Sequence, residues 1–192
     1  MRGAFKEWAV VCQALASGRQ ILILRKGGII EDGGAFRVEY PQFLLFPTFL
    51  HQKPEGIRPD ASPLWTELAS HTPSEGTVRI SHYAEITDAV EIHDEVSLAR
   101  VRDEHIWSDD LIAERFHRWQ KDQVHALLVR VHALSRPREI AMRDSYGGCK
   151  SWIELEEDIT TENAVPILAD EAYDTRAAKV RDSLGIASSA TG

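Results

Sequence analysis

The stretch VHALLVRVHALSRP, residues 124–137, decides the fold class, because it is the strongest strand signal in the chain. Val, Leu and His recur over a dozen positions, and Pro137 is expected to end the element. On a strand, His125 and His132 are an odd number of positions apart and point to opposite faces. Downstream, SYGGCKSW (145–152) puts a glycine pair before a second strand, KSWIEL. A strand, a proline and a glycine-led strand in succession are a hairpin-type arrangement, and a sheet must be built around them.

Working outward, QILILRKGG (20–28) reads as a short buried strand closed by a glycine turn. After the EDGG turn, FRVEY (36–40) and QFLLFP (42–47) read as a strand pair, and GTVRISHYAEITDAVEIHD (76–94) as two strands. Three segments carry helical spacing. Phe5, Trp8, Ala9, Cys12, Leu15 and Ala16 form one apolar stripe that stops at Gly18. SDDLIAERFHRW (108–119) has Ser108 as N-cap, acids in its first turn and bases in its last, with Ile112, Phe116 and Trp119 inward. From Asp170, expected as a cap, Tyr173, Ala177, Val180 and Leu184 share a face ending at Gly185. PLWTELASH (63–71) adds a short helix with Leu64, Trp65 and Leu68 inward, and the proline-rich 53–63 is a loop. Helix, strands, helices, strands, helix is an α+β pattern, without the regular alternation of a doubly wound fold. The expectation is a single domain over 1–185, with a bent mixed or antiparallel sheet or small barrel flanked by helices and a flexible tail over 186–192. In outline the strand, proline and KSW sequence is similar to PUA-like domains, on pattern alone.

Composition bounds the function. The chain has 192 residues, 43 % hydrophobic and 27 % charged, enough for a proper core and ordinary for a soluble protein. No run nears the roughly 18 apolar residues of a membrane span. Lys6 and Glu7 interrupt the one N-terminal stretch that resembles a signal peptide, so a cytoplasmic location is expected. Cys12 and Cys149 make neither a disulfide framework nor a zinc knuckle. The net charge of −8 argues against indiscriminate nucleic-acid binding, but the charge is segregated. Residues 60–114 carry 13 acidic and 3 basic side chains, whereas 115–152 carry 8 basic and 3 acidic. The acidic segment either docks a basic protein partner or folds against the basic one.

No metal site and no cofactor are expected. The eight histidines include no pair at helical ligand spacing, and none of the six lysines has Asp, Glu or Gln two positions before it, as the common metal-dependent nuclease core requires. RKGG and EDGG lack phosphate-loop spacing. SYGGCKSW remains the richest candidate. Gly147 and Gly148 let a ligand approach the backbone, Lys150 and Ser151 add a charge and a hydroxyl, and Tyr146 offers a stacking face. Arg130 and Arg138 precede it, and Arg25, Lys26 and His51 extend the site if the strands bring them near. The reading is a binding module for nucleic acid or another phosphate-bearing ligand. Its competitors are an enzyme using Cys149 with a histidine, and a structural subunit of a larger complex.

At these residues the chain resembles a bacterial family, domain of unknown function 1802. FKEWA (5–9), LRKGG (24–28), FLLFPTFLHQ (43–52), HIW (105–107) and YGGCKSW (146–152) occur in the family's order across nearly the whole chain. The resemblance implies no activity. Because some members are joined to Mrr-type restriction endonuclease domains, it implies a restriction or defence setting.

Overall fold

The computed structural model describes residues 1–26, 37–69, 73–118 and 121–186. Among the described residues there are seven strands: β1 (Gly3–Trp8), β2 (Leu22–Arg25), β3 (Gln42–Thr48), β4 (Thr77–Ile92), β5 (Val124–Ala141), β6 (Trp152–Glu154) and β7 (Val165–Pro166). Five α-helices accompany them: α1 (Ala9–Ala16), α2 (Ser62–Ala69), α3 (Glu95–Arg100), α4 (Asp109–His117) and α5 (Asp170–Leu184). The strands make one sheet in the order β2-β5-β4-β3-β1-β6, with β7 added to β5. Only β1 and β3 pair in parallel, so the fold is the expected α+β domain with a mixed sheet.

Its spine is the β4–β5 ribbon, paired from Thr77↔Ala141 to Ile92↔Val124. Pro137 does not end β5. The ladder opens between Ala133 and Arg138, opposite an irregularity between Ile80 and His82, and then resumes to Ala141. Proline has no N–H to give a ladder, so the strand accommodates it in a bulge, and bulges bend the sheet. Likewise 76–94 is one long strand, not two, with a second irregularity between Ile86 and Asp88. α3 and α4 lie in the connection between the two ribbon strands.

The N-terminal stripe is the main departure from expectation. Only 9–16 is helical; residues 3–8 are a strand inside the sheet, between β3 and β6. Phe5 packs on Phe43 and Trp152, with ring centroids 5.3 and 4.7 Å apart, while Ala4 joins Leu44, Phe46 and Ile153 in a second core on the opposite face. A strand buried on both faces shows no two-residue alternation, and its apolar positions here run into those of α1 at helical spacing.

Residues 37–40 of FRVEY form no strand; the Trp152 indole takes the Arg37 carbonyl at 2.7 Å, and Tyr40 packs edge-on against that indole. Phe36, the EDGG turn, Trp119 and 187–192 lie outside the described residues. α4 starts as expected, with Ser108 Oγ accepting from Leu111 N. Asp170 is not the cap of α5 but its first residue, where it pairs with Arg130, and Gly185 ends the helix at φ +65°. The sheet curls strongly: Arg25 at the end of edge strand β2 donates to the carbonyl of Lys6 on β1, four strands away in the sheet order.

Candidate anion-binding site

The β1–β6 ladder ends at Phe5, followed by one further bond from Lys6 N to the Ser151 carbonyl at 2.8 Å, and the Lys6 carbonyl accepts from Arg25. Lys6 points to one face and Glu7 to the other. On its side, Lys6 Nζ donates to the carbonyls of Tyr146 and Gly148 at 2.8 and 2.7 Å. The glycine loop is therefore tied to β1, and Gly148 sits at φ +76°, a left-handed conformation that glycine adopts without strain. Burial pulls the Lys6 ammonium below its usual range, and the nearby Lys150 and Arg25 add to the shift against an opposing contribution from Cys149.

On the other side lies the Glu7 carboxylate, fully buried. Oε1 accepts from Trp8 N at 2.7 Å; Oε2 has no hydrogen-bond partner among the described residues, with Arg25 Nη1 3.7 Å away. Arg25 lies over the Phe5 ring at 4.8 Å, and its Nε is also buried without a partner among the described residues. From α4, the Arg115 guanidinium lies 3.9 Å from the centre of the Trp107 ring and 5.8 Å from that of Trp8. Trp8 and Trp107 meet edge to face at 4.9 Å. Burial lowers Arg115 to about 10, with Glu7 opposing the shift, so it remains charged at neutral pH. Two guanidiniums, Arg25 and Arg115, thus lie on the side of the Glu7 carboxylate, with the Lys6 ammonium on the opposite face of β1.

At the mouth, Gln52 Oε1 accepts from Val10 N, in the first turn of α1, at 3.4 Å. Its neighbour His51 is exposed and left-handed at φ +62°. Phe49, on the same loop, is 41 % exposed and lines a cleft of about 320 Å³ with Cys12, Gln13 and His82. Cys12 Sγ lies 3.8 Å from the Glu7 carbonyl, which joins cleft and site.

Of the residues expected from sequence, the fold gathers Arg25, Gly147, Gly148, Cys149 and Lys150 around Lys6, and His51 beside Gln52. The others are elsewhere or occupied. Lys26 is buried and donates to the carbonyls of Phe116 and Gln123 at 2.7 and 2.8 Å and to that of Lys121. Tyr146 is 1 % exposed, packs on Phe46 and accepts from Glu156 N, so it presents no stacking face. Ser151 is buried, with its carbonyl on Lys6 N. Arg130 pairs with Asp170 and lies over Tyr173, near the far end of α1, and Arg138 reaches Glu157 on the distal ribbon. Glu7, Arg115, Trp8 and Trp107 escaped the sequence reading, although three of the quoted motifs contain them or their partners: FKEWA, LRKGG and HIW.

The five motifs meet at this one place, and a family model spans residues 4–179. The chain belongs to the DUF1802 family. The family's description is a domain of unknown function. No curated protein matches this DUF1802 chain. In chain path it is similar to the crystal structure of ASCH from Zymomonas mobilis, at 12 % identity and a TM-score of 0.48, over 92 % of this chain and 93 % of that one. Two point mutants of that protein give 13 and 12 % identity over 92 % of this chain and 96 and 94 % of theirs, with TM-scores of 0.45 and 0.44. A likeness that loose assigns no ligand to the DUF1802 site. Among the described residues no group of three or more His, Cys, Asp or Glu is arranged to hold a metal, and no helix is long and apolar enough to cross a membrane.

Proposed function

We propose that Lys6, Arg25 and Arg115, with Lys150 at the mouth, bind a phosphate-bearing ligand, and that this ligand is single-stranded nucleic acid. The observation that supports the reading is the charge imbalance: Arg25 and Arg115 face the one buried carboxylate, Glu7, in a site walled by Phe5, Trp8 and Trp107, while Lys6 and Lys150 add positive charge from the other face of β1. Removing a charge from water is costly, and an anion offsets that cost best where cations already stand uncompensated. Exposed Phe49 and His51 supply the flat surfaces on which unstacked bases can lie, the role that Tyr146 cannot fill. Much of the rest of the basic segment is already compensated, since Arg118, Arg130, Arg138 and Arg143 have carboxylate partners within the chain. The same pairing weakens the subunit reading, because Asp60, Asp88, Asp103, Glu104 and Asp109 of the acidic segment are held by arginines. For a thiol enzyme, Cys149 is suitably exposed, but no hydrogen bond joins it to a described histidine. A restriction or defence setting follows from the family resemblance and from no residue of this chain.

The test is fluorescence anisotropy with labelled single- and double-stranded DNA and RNA at about 50 and 200 mM salt. Affinity for single strands falls with salt at a slope of a few phosphates, Arg115→Leu and Lys150→Glu each weaken it about tenfold, and Arg138→Gln leaves it unchanged. No binding at the lower salt, or equal binding by the two site variants, overturns the proposal.

A further inference from the structure

HIW gives Trp107 to the anion site and leaves His105 without a task. His105 is 2 % exposed, and its Nδ1 has no hydrogen-bond partner among the described residues. Burial, reinforced by Arg58, keeps its pKa at about 4, so the ring is neutral at pH 7. His105 lines a cavity of about 290 Å³ between α3 and α4. The other walls are apolar: Leu98 and Ala99 from α3, and Ile112, Ala113 and Phe116 from α4.

Three charged side chains border the cavity, and each is already compensated. Arg102 grips Asp109 through two nitrogens at 2.7 and 2.9 Å, and Glu95 accepts from His117 at 2.7 Å. An ionic ligand entering here meets hydrocarbon and finds no free counter-charge. A neutral ring keeps the apolar contacts and asks for no such charge. The one unsatisfied polar group is an imidazole, which in its neutral form donates at one nitrogen and accepts at the other. A hydroxyl can do both, so it suits either tautomer. The volume, at the small end of ligand pockets, fits a single ring with short substituents.

We infer that this cavity is a binding site, separate from the anion site, for a small neutral ring compound bearing one hydroxyl, which bonds to the His105 imidazole while the ring packs between α3 and α4.

The experiment titrates the full chain, isotope-labelled for NMR, with p-cresol, with toluene as the analogue lacking the hydroxyl, and with p-toluate as the charged analogue. The expected result is saturable shifts of the His105 ring nitrogens and of the Leu98 and Ile112 methyls with p-cresol. Toluene binds about tenfold more weakly, the worth of one hydrogen bond, and p-toluate more weakly still. His105→Phe brings p-cresol and toluene to parity. Ala113→Trp and Ala99→Phe, which fill the cavity from opposite helices, abolish binding; both residues are exposed, and a melting curve shows which variant keeps the fold and decides. Absence of saturable shifts, tighter binding of p-toluate, a hydroxyl preference that survives His105→Phe, or undiminished binding by a folded cavity-filled variant overturns the inference.

Discussion

Arg25 Nη1 stands 3.7 Å from Glu7 Oε2, a fully buried carboxylate facing a guanidinium that is one-fifth exposed. The pair bridges the curl of the sheet, between the last residue of β2 and the penultimate one of β1. Glu7 is also the buried carboxylate that acts on both Arg25 and Arg115, which gives its removal a definite sign. Glu7→Gln destabilises the fold by about 3 kcal/mol, as breaking a buried pair does. It also tightens binding of inorganic phosphate severalfold, because the cations lose their resident anion. Urea unfolding and calorimetric titration with phosphate read the two effects; weaker phosphate binding in a folded variant would show that Glu7 orients the ligand instead.

Lys26 has the opposite expectation. Its ammonium supports three carbonyls at and beyond the end of α4. Lys26→Met leaves them unpaired and destabilises the protein by about 2–4 kcal/mol. Anion affinity, measured under conditions where the variant is folded, stays within about twofold of the parent. A tenfold affinity loss at unchanged stability would return Lys26 to the site.

Tyr146→Phe removes the hydroxyl that accepts from Glu156 N at 2.9 Å. The expected loss is about 1 kcal/mol in stability, with nucleic-acid binding untouched. Binding that collapses while the urea midpoint holds would mean that the ring leaves the core to meet its ligand.

Acid sensitivity follows from two withdrawn histidines. Burial holds His82 and His105 at about 4, against about 6.5 for the unfolded chain. Between those values the unfolded state binds more protons, so stability falls as pH is lowered through that window, by up to about 1.4 kcal/mol per pH unit for each histidine. His117 runs the other way. Hydrogen bonds to Asp122 and then Glu95 raise its pKa, so its contribution is full at low pH and is lost as pH rises through its folded value. Burial also lowers His132, so unfolding midpoints from pH 7 to 5 in a His117→Gln, His132→Gln background isolate the pair, and His105→Phe then removes about half of the slope. A flat profile in that background would mean that neither ring is held neutral.

What was legible in the sequence depended on how a residue's environment is set. α4 and α5 were readable because one face of each meets solvent and the other the core, so their period survives in the residues. β5 was readable from composition, yet its passage through Pro137 was not, since a bulge needs a partner strand with a matching irregularity. β1 was misread because it is covered on both faces. The site divides the same way. Arg25 and the Gly147–Lys150 loop stood out as charges beside glycines, but Lys26 looked the same and is a structural tie. Glu7 and Arg115 were hidden by their ordinary neighbours. The available signal was Lys6 and Glu7 themselves, two charges set inside an otherwise apolar run, which mark a buried polar site.

β1 lies between β3 and β6, and this placement has a consequence for synthesis on the ribosome. The strand is made before every other strand of its sheet, yet its pairing with β6 must wait until residues 152–154 have been made. At about 5–20 residues per second the delay is on the order of ten seconds or more. Through that interval Phe5 and the unpaired edge beside it stand exposed, a nascent segment suited to a chaperone or to mispairing. Moving β1 by circular permutation to follow β6 would remove the wait and raise the yield of folded chains.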